Sequence, residues 1–222
     1  MIMNVNGIDI FYEKTGEGRP IVLLHGNGED HGIFDVLSEE LSIDHAVYAM
    51  DSRGHGKSSK GSELSYDRMA EDTAGLISQL GLDRPFVYGF SDGGIVALLL
   101  ASRHLELTSG IAVSGANLNP NGVKGKYISI LSIIHFFTRS RKVKLMLTQP
   151  DIKDEELEKI KVPTLLIAGK SDIIKEEHTR HIAGCIRNSS LVILEGEGHA
   201  SYVVHSRKLY GILKPFLDRV EE

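Results

Sequence analysis

The segment Gly89-Phe90-Ser91-Asp92-Gly93 sets a serine between two glycines, each two positions away, and an uninterrupted apolar run, Ile95 to Ala101, follows almost at once. A serine hydroxyl is a poor nucleophile at neutral pH. To attack a carbonyl it needs a base within hydrogen-bond reach and a third group that fixes the tautomer of that base. Two later segments offer both: Gly169-Lys170-Ser171-Asp172, and Glu195-Gly196-Glu197-Gly198-His199. Each follows a short β-branched or leucine-rich run. The reading is therefore Ser91 as nucleophile, His199 as base and Asp172 as the acid that orients the base. Of the ten histidines, only His199 sits in a glycine-rich loop after the last apolar run. Glu197 lies too close to His199 along the chain to be the better acid.

These residues need elements to hold them. Apolar runs bounded by turn residues alternate with segments of helical periodicity, which predicts an α/β fold: a mostly parallel, doubly wound sheet with helices on both faces. Strands are predicted at Ile21 to Leu24, Ala46 to Met50, Phe86 to Phe90, Gly110 to Ser114, Thr164 to Ala168 and Leu191 to Leu194. Their near-continuous hydrophobicity fits strands covered on both sides. Helices are predicted at Ile33 to Leu41, Asp67 to Leu80, Gly93 to Arg103, Glu176 to Ile186 and Tyr202 to Val220. Asn6-Gly7, the preferred pair for a two-residue turn, predicts an opening hairpin. In this frame Ser91 occupies a sharp strand-to-helix bend, where only small residues two positions away let strand and helix approach. The helix N-terminus beside it favours a negative oxygen. Asp172 and His199 follow parallel strands, so their loops emerge on the same side of the sheet. One stretch breaks the alternation. Residues 117–161 lack a clear strand and read as a helical lid inserted in a single domain of 1–222.

With these motifs in place the chain resembles the α/β-hydrolase superfamily over nearly its whole length, including the chain order Ser, Asp, His. His25-Gly26-Asn27-Gly28 follows the strand where that superfamily places an oxyanion loop. The resemblance implies backbone N–H donors at Asn27 and at Asp92, the residue after the nucleophile. Asp51-Ser52-Arg53-Gly54-His55-Gly56-Lys57-Ser58 is similar to a structural segment of cofactor-free esterases, C–C bond hydrolases and peroxidase-like members. The insertion is shorter than in many such relatives. A carboxylesterase without metal or organic cofactor is the first implication. C–C or thioester cleavage by the same three residues, or a small-ligand receptor on the same fold, stay open. Epoxide hydrolases and haloalkane dehalogenases need Asp where Ser91 stands.

The composition, 41% hydrophobic and 25% charged in 222 residues, is that of a folded soluble domain rather than a disordered chain. No segment has the length of a membrane span, and residues 1–6 lack a secretory leader's basic start, so a cytoplasmic location is expected. A net charge of -5 argues against a nucleic-acid partner, leaving a small-molecule substrate. Cys185 is the sole cysteine and is read as a core filler. His178 and His181 share metal-like spacing but are read as a solvated helix face. His25 and His55 are read as loop-shaping hydrogen-bonders, and Asp51 and Arg53 as pairing with backbone or with each other. Gly26-Asn27-Gly28 has His31 where a dinucleotide fingerprint needs its third glycine.

Within the insertion, Ile130, Ile133, Ile134, Phe136 and Phe137 are expected to bring apolar character to a small or medium ester, with Ile134, Phe136 and Phe137 as substrate-binding candidates. Between Leu107 and Pro150 there is no Asp or Glu, against Lys124, Lys126, Arg139, Arg141, Lys142 and Lys144. That stretch carries +6 in a protein of net -5. Either it receives an anionic group, or Asp151, Asp154, Glu155, Glu156 and Glu158 neutralise it.

Overall fold

The computed structural model describes residues 1–60 and 63–221. Asn6 and Gly7 both take positive φ and join β1 (Ile2–Val5) to β2 (Ile8–Thr15), pairing Val5 with Ile8. The remaining strands are β3 (Arg19–Leu24), β4 (His45–Met50), β5 (Phe86–Phe90), β6 (Gly110–Ser114), β7 (Thr164–Gly169) and β8 (Ser189–Leu194). Among the described residues these eight strands form one sheet, ordered β1-β2-β4-β3-β5-β6-β7-β8. Pairing is antiparallel at β1/β2 and β2/β4 and parallel from β4 to β8. The chain leaves β3 to one side and returns through β5 on the other. The carboxyl ends of β3 and β5 thus flank the switch point, where open α/β sheets form their sites.

Successive residues of each parallel strand feed opposite faces, which is why the strands are apolar throughout. Val22, Leu24, Val87 and Val113 pack with α2 (Tyr66–Gln79) and α3 (Asp92–Arg103). Ile21, Leu23, Tyr88 and Ile167 pack on the other face with α1 (Asp35–Leu41) and α8 (Lys208–Glu221). Every residue of α3 from Ile95 to Ala101 is buried, as its unbroken apolar run requires. α7 (Glu176–Cys185) lies between β7 and β8 in the chain.

The last helix starts six residues later than its periodicity predicts. Tyr202 and Val203 are buried in a turn, and His205 takes φ 49°, which an α-helix cannot include. A 3-10 turn, His31–Phe34, capped by the Asp30 carboxylate, occupies the start of the helix predicted at Ile33. Residues 117–161 contain α4 (Gly125–Thr138), α5 (Arg141–Thr148) and α6 (Asp154–Leu157), with an isolated bridge from Val123 to Ile174. No described helix is long and apolar enough to cross a membrane.

The loop after β4 is tied down by charge. Arg53 donates from Nε (2.6 Å) and Nη2 (2.8 Å) to the two carboxylate oxygens of Asp72 on α2, both side chains being buried. Asp51 pairs elsewhere, accepting from the backbone N–H and ring of His31 and from Lys57 N–H, so Asp51 and Arg53 do not pair with each other. Removing one partner strands a buried charge. Asp72→Ala is expected to destabilise the fold by about 3–5 kcal/mol in denaturant unfolding, whereas the double variant Arg53→Met/Asp72→Leu should cost far less.

Candidate active site

Ser91 directly follows β5 and caps α3 with φ 53° and ψ -114°. That backbone is unfavourable for a residue with a Cβ and persists only where its surroundings impose it. Here the imposition is contact between strand and helix. A Cβ on Gly89 would lie 2.1 Å from the Gly93 carbonyl oxygen, and one on Gly93 would lie 2.0 Å from that of Leu24. The bend is also tied to the neighbouring strand end, since Ser91 N–H donates to the Ser114 carbonyl at 2.7 Å.

The structure brings the three sequence-predicted side chains into one line. Ser91 Oγ lies 3.1 Å from His199 Nε2, and His199 Nδ1 lies 2.7 Å from Asp172 Oδ1. The Asp172 carboxylate is buried, and the same oxygen accepts from Ile174 N–H at 2.9 Å. The loops after β7 and β8 are locked together by Ser171 N–H donating to the Glu197 carbonyl at 2.9 Å. Gly169 there passes so close to Gly198 that a Cβ would fall 2.3 Å from its oxygen. Gly115, after β6, forms the floor beneath the imidazole, where a Cβ would sit 2.6 Å from His199 Cε1. Phe90 supports the same ring, their centroids 5.0 Å apart.

Asn27 and Asp92 meet across the switch point, Asn27 Nδ2 donating to Asp92 Oδ2 at 2.8 Å. The Asp92 side chain is more than a surface charge at a helix start. It is 5% exposed, and Tyr66 Oη donates to its other oxygen at 2.9 Å. Burial pushes its pKa up to about 6, although the bonds from Asn27 and Tyr66 favour the anion. Glu29, which sequence reasoning did not single out, accepts from Gly26 N–H at 3.0 Å and closes the loop after β3. Its carboxyl is raised by burial. The spacing from Gly26 to Glu29, three residues, is the one local signal for this back-bond.

The flanking histidines are held neutral. His25 Nε2 accepts from Ser52 N–H at 3.0 Å while Nδ1 faces the Gly26 carbonyl at 2.7 Å, and burial lowers its pKa. His55, its ring 5.2 Å from that of His25, is depressed to about 4, chiefly by burial. His178 is not on a solvated face: its Nε2 accepts from Leu118 N–H at 2.9 Å. His181 pairs with Asp154 at 2.9 Å, and half-buried Cys185 packs against the core edge.

A small cavity opens beside Ser91, lined by Tyr66, Asp92, Met146, Gln149 and Ile174 among others. Its free volume is about 20 Å³, room for about one water. Ile134, Phe136 and Phe137, expected to meet substrate, are not among the residues that line it. α4 turns Tyr127, Ile128 and Leu131 towards the body and leaves those three residues exposed, while α5 supplies Met146. Apolarity alone did not say which side of α4 faces inward.

The raised Asp92 carboxyl has a measurable consequence. In the unfolded chain it ionises near 3.8, in the folded protein near 6, so folding favours its protonated form. Stability from this group is full below pH 4 and is lost as pH rises through 6. Relative to Asp92→Asn, which does not titrate, wild-type unfolding free energy is expected to fall by about 2 kcal/mol between pH 4 and 7. Paired denaturant titrations across that range measure it.

Comparison with known proteins agrees with this architecture. Residues 19–127 match the family model of the alpha/beta hydrolase fold. The AB hydrolase superfamily protein YisY of Bacillus subtilis is 27% identical over 94% of this chain and 95% of its own. An esterase from Exiguobacterium antarcticum superposes with a TM-score of 0.85 at 21% identity, covering 100% of this chain and 99% of that one. A thermophilic esterase from Thermogutta terrifontis superposes at 0.84 and 21% identity, with 100% and 99% coverage. A sheet that switches direction between β3 and β5 is thus common ground with these proteins, and the chain has the alpha/beta hydrolase fold.

Proposed function

We propose that this hydrolase is a serine esterase that cleaves small carboxylic esters through an acyl-enzyme. The observation that carries the reading is the chain of contacts from Ser91 Oγ to His199 Nε2 (3.1 Å) and from His199 Nδ1 to Asp172 Oδ1 (2.7 Å). With Nδ1–H donated to Asp172, Nε2 is free to take the Ser91 proton as Oγ attacks the ester carbonyl. Backbone N–H groups of Asn27 and Asp92 hold the oxyanion, the latter at the start of α3, where the helix dipole adds to its effect. The intermediate collapses, and His199 returns the proton to the departing alcohol. Water then attacks the acyl-serine, His199 takes its proton, and the acid leaves as Oγ is reprotonated. Protein groups alone supply these steps.

Residues 117–161 act as the lid of this single domain, with α5 setting the size of the acyl site. A cavity of about 20 Å³ beside Ser91 favours acyl groups of acetyl size. The structural neighbours from Thermogutta terrifontis and Exiguobacterium antarcticum are esterases, which supports the ester reading.

Labelling with a fluorophosphonate tests the nucleophile. Modification is expected at Ser91 alone, and Ser91→Ala should lose labelling and at least about a thousandfold in p-nitrophenyl acetate turnover. Labelling at another residue, or retained turnover, would overturn the assignment. Acyl preference tests the pocket: wild type is expected to prefer acetate over butyrate esters, and Met146→Ala to move the optimum towards butyrate by about tenfold in relative kcat/KM. An unchanged preference would remove α5 from the acyl site.

A further inference from the structure

We propose that α4 docks this protein onto anionic lipid surfaces. Eight of the helix's 14 residues are aliphatic or aromatic, yet none of its residues is buried. Tyr127, Ile128, Leu131 and His135 share the side turned to the body and are half-buried. Opposite them Ile130, Ile133, Ile134 and Phe137 follow helical spacing as a single outward stripe, flanked by Phe136. Ile133 is 60% exposed and Phe137 77%. A contiguous outward apolar strip of this kind marks a surface that meets something other than water.

The charges around the stripe identify what it meets. Lys126 begins α4, Arg139 and Arg141 follow its end, and Lys144 lies on α5, all four exposed. Three of the five acids expected to neutralise this stretch have other partners: Asp151 pairs with Lys153 at 2.6 Å, Asp154 with His181 at 2.9 Å and Glu156 with Arg103 at 3.3 Å. Glu63 shares a cleft with Arg141 and Lys144 but not with Lys126 or Arg139. An apolar stripe with basic residues at its margins suits the headgroup boundary of an anionic bilayer, where the stripe enters the acyl layer and the cations remain at the phosphates. Arg139 stacks over Phe136, 5.5 Å from its ring centre, which joins a cation to the apolar margin. A symmetric pairing of two copies through this face would instead set one +6 stretch against another.

Sedimentation of the whole protein with vesicles tests the docking without reference to hydrolysis, so it stands or falls separately from the esterase reading. Vesicles of phosphatidylcholine with one third phosphatidylglycerol are compared with phosphatidylcholine alone. At about 0.1 M salt the anionic vesicles are expected to bind at least tenfold more protein, and the difference should largely vanish near 1 M. Ile133→Ser/Phe137→Ser should lower anionic-vesicle binding about tenfold or more. Lys126→Gln/Arg139→Gln, which leaves the apolar stripe intact, should do so at low salt only. Absence of vesicle binding, equal binding to both lipids, or a dimer in solution that Phe137→Ser dissociates would each overturn the proposal.

Discussion

The bend at Ser91 is the constraint on which the rest of the molecule depends. A φ of 53° for a serine survives because three backbones meet around it: the end of β5, the first turn of α3 and the carbonyl of Leu24 at the end of β3. Gly89 and Gly93 are the residues that permit this meeting, and any larger side chain there would drive strand and helix apart. The approach of β3 and α3 also brings Asn27 against Asp92, so the bend that raises the hydroxyl also gathers the two proposed oxyanion donors. Chemistry at this sheet edge is a by-product of close packing beneath it.

Around the line from Ser91 to Asp172, burial sorts the titratable groups by charge. His25 and His55 are driven towards their neutral forms because the loss of water outweighs their carbonyl partners, Gly26 and Arg53. Asp51 meets the opposite balance: burial raises it, but N–H donors from Lys57 and His31 and the His31 ring outweigh that and hold it low. Asp92 lies between these cases, with two donors that do not fully offset its burial. The result is that only one histidine near the hydroxyl has both a carboxylate behind it and the hydroxyl before it. That asymmetry, rather than the number of histidines, makes His199 the proposed base.

The parts of the site that were legible in the sequence are those encoded locally. Gly-x-Ser-x-Gly at a strand-to-helix junction, an Asp after β7 and a His in a glycine-rich loop after β8 each announce their position within a few residues, and parallel pairing does the rest. What was not legible depends on contacts between distant segments. Tyr66 reaches Asp92 from α2, 26 residues away, and nothing in its surroundings marks it. Gly115 looks like any loop glycine until His199 is found stacked on it. Periodicity marked the last helix too early because Tyr202 and Val203 are apolar for a buried turn, not for a helix face. The same limit applies to α4, whose outward residues are as apolar as its inward ones.

The first two helices of residues 117–161, α4 and α5, are attached to the body in a way that separates access from chemistry. α5 buries only Leu145 and is otherwise held by polar contacts, among them Lys142 carbonyl accepting from Asn27 Nδ2 at 3.3 Å and Gln149 Oε1 accepting from Tyr66 N–H at 3.3 Å. α4 buries nothing and packs mainly on α5. Elements with so few buried apolar contacts open at low free-energy cost compared with the sheet. The line from Ser91 through His199 to Asp172, by contrast, hangs on β5, β7 and β8, whose register is fixed by strand pairing on both sides of β7. Motion of the insertion can therefore change the width of the cavity beside Ser91 while leaving the distances from Ser91 to His199 and Asp172 as they are.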